Sequence, residues 1–199
     1  MFIGFFFSDL YLHQPFKTLT RMKRILIFFS ITLLCTTCSE LDKFEGVPIR
    51  QYAYEVIDFS SHYTSLPYYT AYEALGEENV YPNYGDLEYS WASLTPDGQR
   101  EFIVLGFETP QTIHTIEIYE TYNPGAIDTV FIRNESTGEW RKVYSKPART
   151  DLPPQARIFA IYFQETTFLV DAIRLALNSP AVPGWNEIDA VAIGGQRKK

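Results

Sequence analysis

The amino-acid sequence predicts an all-β sandwich or barrel, and three observations support this fold class. Short runs rich in β-branched and aromatic residues recur along residues 50–195. Gly, Pro, Asn and Asp separate these runs at a spacing typical of all-β domains. No segment shows a long helical period. We expect about eight strands, which is enough for two packed antiparallel sheets.

The predicted elements follow one another regularly along the chain. A helical turn or loop follows the first strand and closes at Gly76, and Pro110 is expected to end one buried strand before the next begins. Residues 134–138 are expected to form a hairpin turn. The predicted strands cover residues 52–59, 101–107, 112–119, 127–133, 140–144, 157–163, 170–177 and 188–193.

The most informative local stretch is the turn at Asn123-Pro124-Gly125. Polar and apolar residues alternate before it, and β-branched residues follow it. Proline presets φ and glycine permits a positive φ, so the stretch predicts strand, tight turn, strand.

Two carboxylates are predicted to point inward at strand ends. Period-two alternation places Glu120 on the face of Ile118, and Asp189 on the face of Val191. Buried charges are normally paired or hydrogen-bonded, so Arg174 and the amides of the turn are expected partners. A catalytic pair is the alternative, although strand-end carboxylates usually organise loops.

The first 38 residues carry a targeting pattern. A basic segment begins at Met22, residues 25–34 are apolar, and Cys38 follows small residues, which resembles a bacterial lipoprotein signal. We expect translation to start at Met22 and Cys38 to be acylated. An ordinary signal peptide or a single membrane anchor are the alternatives, although ten apolar residues fall short of the roughly 20 that a span needs. Residues 39–49 would be a tether and residues 196–199 a basic tail.

Composition excludes several function classes. Both cysteines, Cys35 and Cys38, lie in the leader, so none remains for a disulfide or a thiolate metal site. The chain has 17 basic and 24 acidic residues, and residues 1–38 contain four of the basic residues and one of the acidic residues. Residues 39–199 therefore carry a net charge of about −10, which argues against nucleic acid as a partner.

The order of the motifs resembles a discoidin-like domain, also called the galactose-binding-like or coagulation-factor C-type fold. Residues 85–93, with Trp91, are similar to its early loop, and 170–175 and 186–191 to its last two strands. The resemblance implies a jelly-roll β-sandwich. Residues 81–86, 120–126 and 187–191 are closer to a branch found in bacterial envelope proteins and in a eukaryotic F-box leucine-rich-repeat protein. This fold hosts many unrelated ligands.

The resemblance also implies a structural calcium ion between the early loop and the closing strand. Asp86, Glu187, Asn83 and Ser90 stand at the matching positions. Calcium takes about six to eight oxygen ligands, which carboxylates and turn carbonyls can supply. In the alternative interpretation, Asp86 caps a turn and Glu187 accepts hydrogen bonds from the backbone.

Aromatic residues crowd the predicted loops, where they suit sugar rings or a protein partner. In the alternative, most of them plug the ends of the sandwich. Trp185 and Tyr122 are the preferred ligand-binding candidates, together with Glu120, Asn123 and Tyr84.

These observations predict a non-catalytic, ligand-binding lipoprotein of the cell envelope, anchored to the outer membrane and facing the periplasm or the surface. We expect loops at one end of the sandwich to bind a glycan or envelope polymer. The alternative is a structural or protein-interaction module that docks onto an envelope protein. An enzyme is third, because no metal-binding histidine pair, catalytic triad or phosphate-binding glycine loop is present in the sequence.

Overall fold

Eight antiparallel strands dominate the computed structural model, which describes residues 46–65 and 67–197. The predicted all-β class is confirmed. No helix in this part of the chain is long and apolar enough to cross a membrane. The strands are β1 (Val47–Tyr52), β2 (Glu55–Phe59), β3 (Glu101–Tyr122), β4 (Ile127–Asn134), β5 (Trp140–Ser145), β6 (Arg157–Tyr162), β7 (Val170–Leu177) and β8 (Glu187–Arg197).

The long strand β3 belongs to two sheets. Its first half pairs with β2 and β7, which gives the order β2-β3-β7-β4-β5. Its second half pairs with β8 and β6, which gives the order β1-β8-β3-β6. Buried residues of both sheets, such as Leu105 and Leu175 on one and Ile118 and Val191 on the other, share one apolar core.

Pro110 does not end a strand, contrary to the prediction. The pairing of β3 with β7 breaks between Gly106 and Gln111, so position 110 lies where β3 leaves one sheet for the other and no N–H is required. The Gln51 side chain bonds the backbone here instead. Its Nε2 donates to the Thr109 carbonyl (2.6 Å), and its Oε1 accepts from the Thr109 N–H (3.2 Å).

The predicted first strand, residues 52–59, is in fact divided between β1 and β2. The N–H of Ala53 donates to the carbonyl of Val191 in β8, and the N–H of Tyr54 donates to the carbonyl of Gly106 in β3. Two adjacent residues thus bond to different sheets, which explains why the strand breaks here.

The folded unit extends slightly beyond residues 50–195. Val47 in β1 pairs with Arg197 at the end of β8. The inner ends of the predicted tether (39–49) and basic tail (196–199) are therefore parts of strands. The leader, Cys38 and residues 39–45 lie outside the described residues.

The predicted turns are confirmed. A 3₁₀ turn at Ala71–Ala74 closes at Gly76 (φ +79°), and the hairpin between β4 and β5 contains Gly138 (φ +72°). Gly125 has a φ of +116° in the turn between β3 and β4. Because β3 and β4 pair with different neighbours here, this turn carries the chain from one sheet to the other.

Candidate functional site

A cavity of about 120 Å³ lies beside the start of β8. Three aromatic side chains and two carboxylates converge on it, although their positions are spread over more than 120 residues of the sequence. The lining residues are Tyr63, Tyr69, Asp86, Ala92, Trp185 and Glu187.

The aromatic wall is held by ring packing. The ring of Tyr63 meets Tyr69 edge to face, with centroids 5.4 Å apart at 74°, and meets Trp185 in the same way at 5.4 Å and 86°. The indole Nε1 of Trp185 donates to the Ser93 carbonyl at 3.0 Å. Tyr63 nevertheless remains 47% exposed, so the wall is ordered and still accessible.

Backbone hydrogen bonds position the loop that carries Asp86. Trp91 and Ile188 exchange two bonds (2.8 and 3.1 Å), which ties this loop to β8 just after Glu187. The N–H of Tyr69 donates to the carbonyl of Glu88, and the Tyr69 carbonyl accepts from Ala92. Tyr69 has a positive φ of 58°, which turns the backbone at this point.

The two carboxylates lie in different environments. Asp86 accepts a hydrogen bond from the Tyr69 hydroxyl (2.8 Å) and is otherwise exposed. Glu187 is only 1% exposed, and its Oε2 accepts from the Leu87 N–H at 3.3 Å. Its Oε1 is buried, and no residue in the described part of the chain donates a hydrogen bond to it. Burial raises the pKa of Glu187 to about 9; the hydrogen bond from the Leu87 N–H opposes this shift, and the Asp86 side chain adds to it by its charge and by hydrogen bonding.

Two of the four predicted calcium ligands, Asp86 and Glu187, come together at this cavity. The other two differ from the expected arrangement. Ser90 is fully buried and shares a hydrogen bond with the Thr121 hydroxyl (2.8 Å), and Asn83 is exposed in its loop. Within residues 46–65 and 67–197, no group of three or more His, Cys, Asp or Glu side chains is placed to hold a metal ion, so further calcium ligands would have to be backbone carbonyls or water. Calcium here remains a prediction.

Melting in calcium and in chelator tests this calcium prediction. A calcium ion held by Asp86 and Glu187 would stabilise the folded state by mass action, so excess chelator should lower the melting temperature and added calcium should restore it. Glu187→Gln should remove this response. Melting curves that coincide in calcium and in chelator would contradict a calcium site.

Three other predicted ligand residues lie next to the cavity. The rings of Tyr84 and Tyr122 pack with centroids 5.5 Å apart, and the Tyr84 hydroxyl donates to Asn123 Oδ1 at 3.4 Å. Asn123 Nδ2 in turn donates to the Trp185 carbonyl at 3.0 Å. Tyr84 and Asn123 line a separate depression of about 160 Å³. Trp185, Tyr84, Tyr122 and Asn123 are therefore neighbours, but Trp185 lines the first cavity, Tyr84 and Asn123 line the second depression, and Tyr122 is not among the described lining residues of either.

Comparison with known families decides the classification. The family model described as the Pappalysin-1 SD scarf domain, C-terminal, matches residues 42–199. The chain belongs to this family. It is also similar to F-box/LRR-repeat protein 4 of Bos taurus, with 29% identity over 182 residues that cover 76% of this chain and 29% of that protein. The chain thus spans less than a third of that relative's length.

Solved structures similar to this SD scarf domain are β-sandwich modules. They include a chitosan-binding module of a Paenibacillus chitosanase/glucanase (TM-score 0.50, 15% identity, 74% of this chain and 93% of that one). The C-terminal domain of a Bacteroides fragilis chitobiase is also similar (0.51, 15%, 76% and 100%). A third is XRCC1 bound to the DNA polymerase β catalytic domain (0.55, 13%, 74% and 99%). They support the predicted galactose-binding-like fold.

Glu120 does not belong to the accessible surface of this SD scarf domain, contrary to the ligand-binding prediction. It is 3% exposed, its Oε2 lies 2.6 Å from Arg157, and its Oε1 accepts from the Gly125 N–H at 2.8 Å. Burial raises its pKa, opposed by Arg157 and this N–H. Arg157 replaces the expected partner Arg174, whose guanidinium lies over the Phe102 ring at 4.3 Å.

Asp189 organises a loop, as predicted. Its carboxylate accepts hydrogen bonds from the N–H groups of Asn79 (3.2 Å), Val80 (3.2 Å) and Tyr81 (2.8 Å). Burial raises its pKa, and these N–H groups oppose the shift. Glu120 and Asp189 thus hold separate parts of the fold, which does not favour a catalytic pair.

Tyr63 and Tyr69 are the site residues that sequence reasoning did not select. They stand among the aromatic residues of the predicted loops, and that crowding was their only signal. Trp185 is more than 110 positions away in the sequence. The three rings come together because the loop with Tyr63 and Tyr69 is hydrogen-bonded to the 85–93 loop, which is tied to β8.

Proposed function

We propose that this SD scarf domain is a non-catalytic binding module that holds a glycan or envelope polymer at the aromatic cavity. One observation carries the proposal: three partly accessible aromatic rings and two carboxylate acceptors line one small cavity. Aromatic surfaces pack against the apolar faces of sugar rings, and polar groups beside them fix orientation. The similarity to a chitosan-binding module and to a chitobiase domain supports a glycan as the ligand.

Loss of an aromatic wall residue should weaken glycan binding. We expect Trp185→Ala and Tyr63→Ala each to reduce affinity about ten-fold or more for the glycan class that raises the melting temperature, a loss of about 1.4 kcal/mol. Thermal shift with envelope glycans and peptidoglycan fragments finds the class, and calorimetry measures the affinity. Tyr162→Ala is the matched control, because Tyr162 is 73% exposed but lines a different groove.

A flat glycan panel from a well-folded protein would defeat this proposal and favour a protein-interaction module. Exposed apolar side chains on the edge strand β6, Ile158 and Tyr162, are the observation that favours this alternative. Unpaired strand edges are templates for binding other chains. The XRCC1 structure, solved with a polymerase domain bound, supports a protein partner for this fold. An interaction module should co-purify with one partner and lose it in Tyr162→Ala.

We propose further that acylated Cys38 anchors the domain to the outer membrane. The basic segment, the apolar run and the small residues before Cys38 support this proposal. Metabolic labelling with a palmitate analogue should label the native protein. Cys38→Ser should lose both the label and the membrane fraction, whereas Cys35→Ser should keep both. A mature protein whose intact mass places its first residue before position 38 would contradict the anchor.

A further inference from the structure

We propose that the aromatic cavity binds the protonated amine of an amino sugar, with Glu187 and Asp86 as its charge partners. The inference depends on the proposed glycan binding and narrows it to one class of sugar. It follows from the unpaired carboxylate oxygen, the aromatic wall and the charge around the cavity.

The unpaired oxygen indicates that a hydrogen-bond donor belongs in this cavity. Glu187 is 1% exposed, and its Oε1 is buried without a donor among the described residues. A buried carboxylate oxygen without a partner is costly, so a ligand that supplies an N–H or O–H is favoured. An ammonium group supplies three N–H donors and a positive charge, whereas a sugar hydroxyl supplies one donor and no charge.

The second carboxylate makes a cation the better match. Asp86 lines the same cavity and is oriented by the Tyr69 hydroxyl at 2.8 Å. No lysine or arginine is among the described residues that line the cavity. The two carboxylates repel each other when both are ionised, and a neutral ligand does not relieve this repulsion, whereas one ammonium group can approach both and compensate their charges.

The aromatic wall favours an organic ammonium. Tyr63 stands almost perpendicular to Tyr69 and Trp185, so the rings present both faces and edges around the cavity. A cation within about 6 Å of a ring centroid is attracted by the ring's quadrupole. Rings supply none of the oxygen ligands that a calcium ion would require.

Size and long-range charge agree with an amine carried on a sugar. A cavity of about 120 Å³ corresponds to about four water molecules, which is room for an ammonium group and the edge of a sugar ring. The rest of the sugar would lie against the exposed Tyr63. The net charge of about −10 on residues 39–199 attracts a polycation towards the domain.

The decisive experiment compares two oligosaccharides that differ only at nitrogen. The full-length chain in detergent is titrated calorimetrically, in chelator, with the glucosamine tetramer and with its N-acetylated counterpart. We expect the glucosamine tetramer to bind at least about ten-fold more tightly, and added salt to weaken its binding. Asp86→Asn and Glu187→Gln should each remove this preference. Glu88→Gln, which removes an exposed charge outside the lining, should keep it.

Each other outcome has a definite meaning. Equal affinity for the two tetramers, with no effect of Asp86→Asn, overturns the ammonium proposal and leaves glycan binding intact. Binding of neither these tetramers nor any other glycan defeats the proposed function as well. If Glu88→Gln lost the preference for the glucosamine tetramer as fully as Asp86→Asn, the preference would come from the net negative charge of the domain. That result would overturn the proposed site. A lysine-rich peptide that binds as tightly as the glucosamine tetramer overturns the sugar assignment.

Discussion

Gly195→Ala should destabilise the domain by about 4 kcal/mol or more, which is beyond the usual range for a single substitution. A Cβ at Gly195 would lie 1.8 Å from the Thr112 carbonyl oxygen and 2.7 Å from the Ile113 Cα. These are backbone atoms of β3, the strand that both sheets share, so they cannot move aside as a side chain could. The melting temperature should fall by roughly 10 °C or more, because each kcal/mol corresponds to about 2–4 °C in a domain of this size.

The reason for this close approach is a bulge in β3. Gly194 pairs with Thr115 and Gly195 pairs with Ile113, so His114 is an extra residue on the β3 side. Such bulges bend the strand and increase its local twist, and a glycine inside a strand often marks a bulge or a close backbone approach. The neighbouring Gly194→Ala is the matched control, since a Cβ there meets only the Thr115 Cβ at an ordinary 3.7 Å. Chemical unfolding of both variants should separate them clearly. Equal stabilities would show that β3 and β8 can move apart at no cost.

Local rules predicted the turns well, because the chemistry of a turn lies in the turn itself. Gly76, Gly125 and Gly138 all have positive φ values where the sequence indicates a turn. Pro110 shows the limit of the same reasoning. The rule that proline ends a strand assumes that its N–H would be needed in the ladder. Whether β3 is between sheets at that position depends on partners that are distant in the sequence.

The ion-pair partner of Glu120 is a second case in which local sequence rules fail, because the partner is distant in the sequence. Alternation correctly predicts that Glu120 is buried and that it binds the turn. Arg157 is its partner because the two residues are directly opposite each other in the β3–β6 ladder. Arg174 instead lies on β7, which pairs with the other half of β3. The composition of the chain and the alternation of polar and apolar residues cannot distinguish these two arginines. Only the pairing of the strands shows which of them lies opposite Glu120.

The cavity was predictable in part. Trp185 and Glu187 lie next to the predicted last strand. The sequence points to Trp185 as a ligand-binding residue and to Glu187 as a calcium ligand. The choice of Tyr63 and Tyr69 from the many loop tyrosines depends on which loop docks onto the 85–93 loop, itself tied to β8 through Trp91 and Ile188. Hydrogen bonds such as Tyr69 N–H to the Glu88 carbonyl decide that docking, and they leave no pattern in the sequence.

Gly125→Val should also destabilise strongly, by about 4 kcal/mol or more, because two independent costs add. The φ of +116° is one that β-branched residues rarely adopt. A Cβ here would also lie 2.3 Å from the Arg149 carbonyl oxygen and 3.0 Å from the Leu152 side chain. Any backbone shift that relieves this contact would disturb the Gly125 N–H bond to Glu120 (2.8 Å) and the Arg149 N–H bond to the Gly125 carbonyl (2.9 Å).

Gly138→Val separates these two costs. Gly138 also has a positive φ, +72°, but a Cβ there meets no atom of residues 46–65 and 67–197 within 4 Å. Its substitution should therefore cost only the backbone strain, about 1–3 kcal/mol. Urea unfolding of the two valine variants and of Gly125→Ala gives the comparison, with Gly125→Ala expected to lie near Gly125→Val because the contact begins at Cβ. A Gly125→Val variant as stable as Gly138→Val would contradict this prediction. It would mean that the 146–155 loop is not packed against the turn. It would also mean that Arg157 holds the buried Glu120 without the support of a fixed Gly125 N–H.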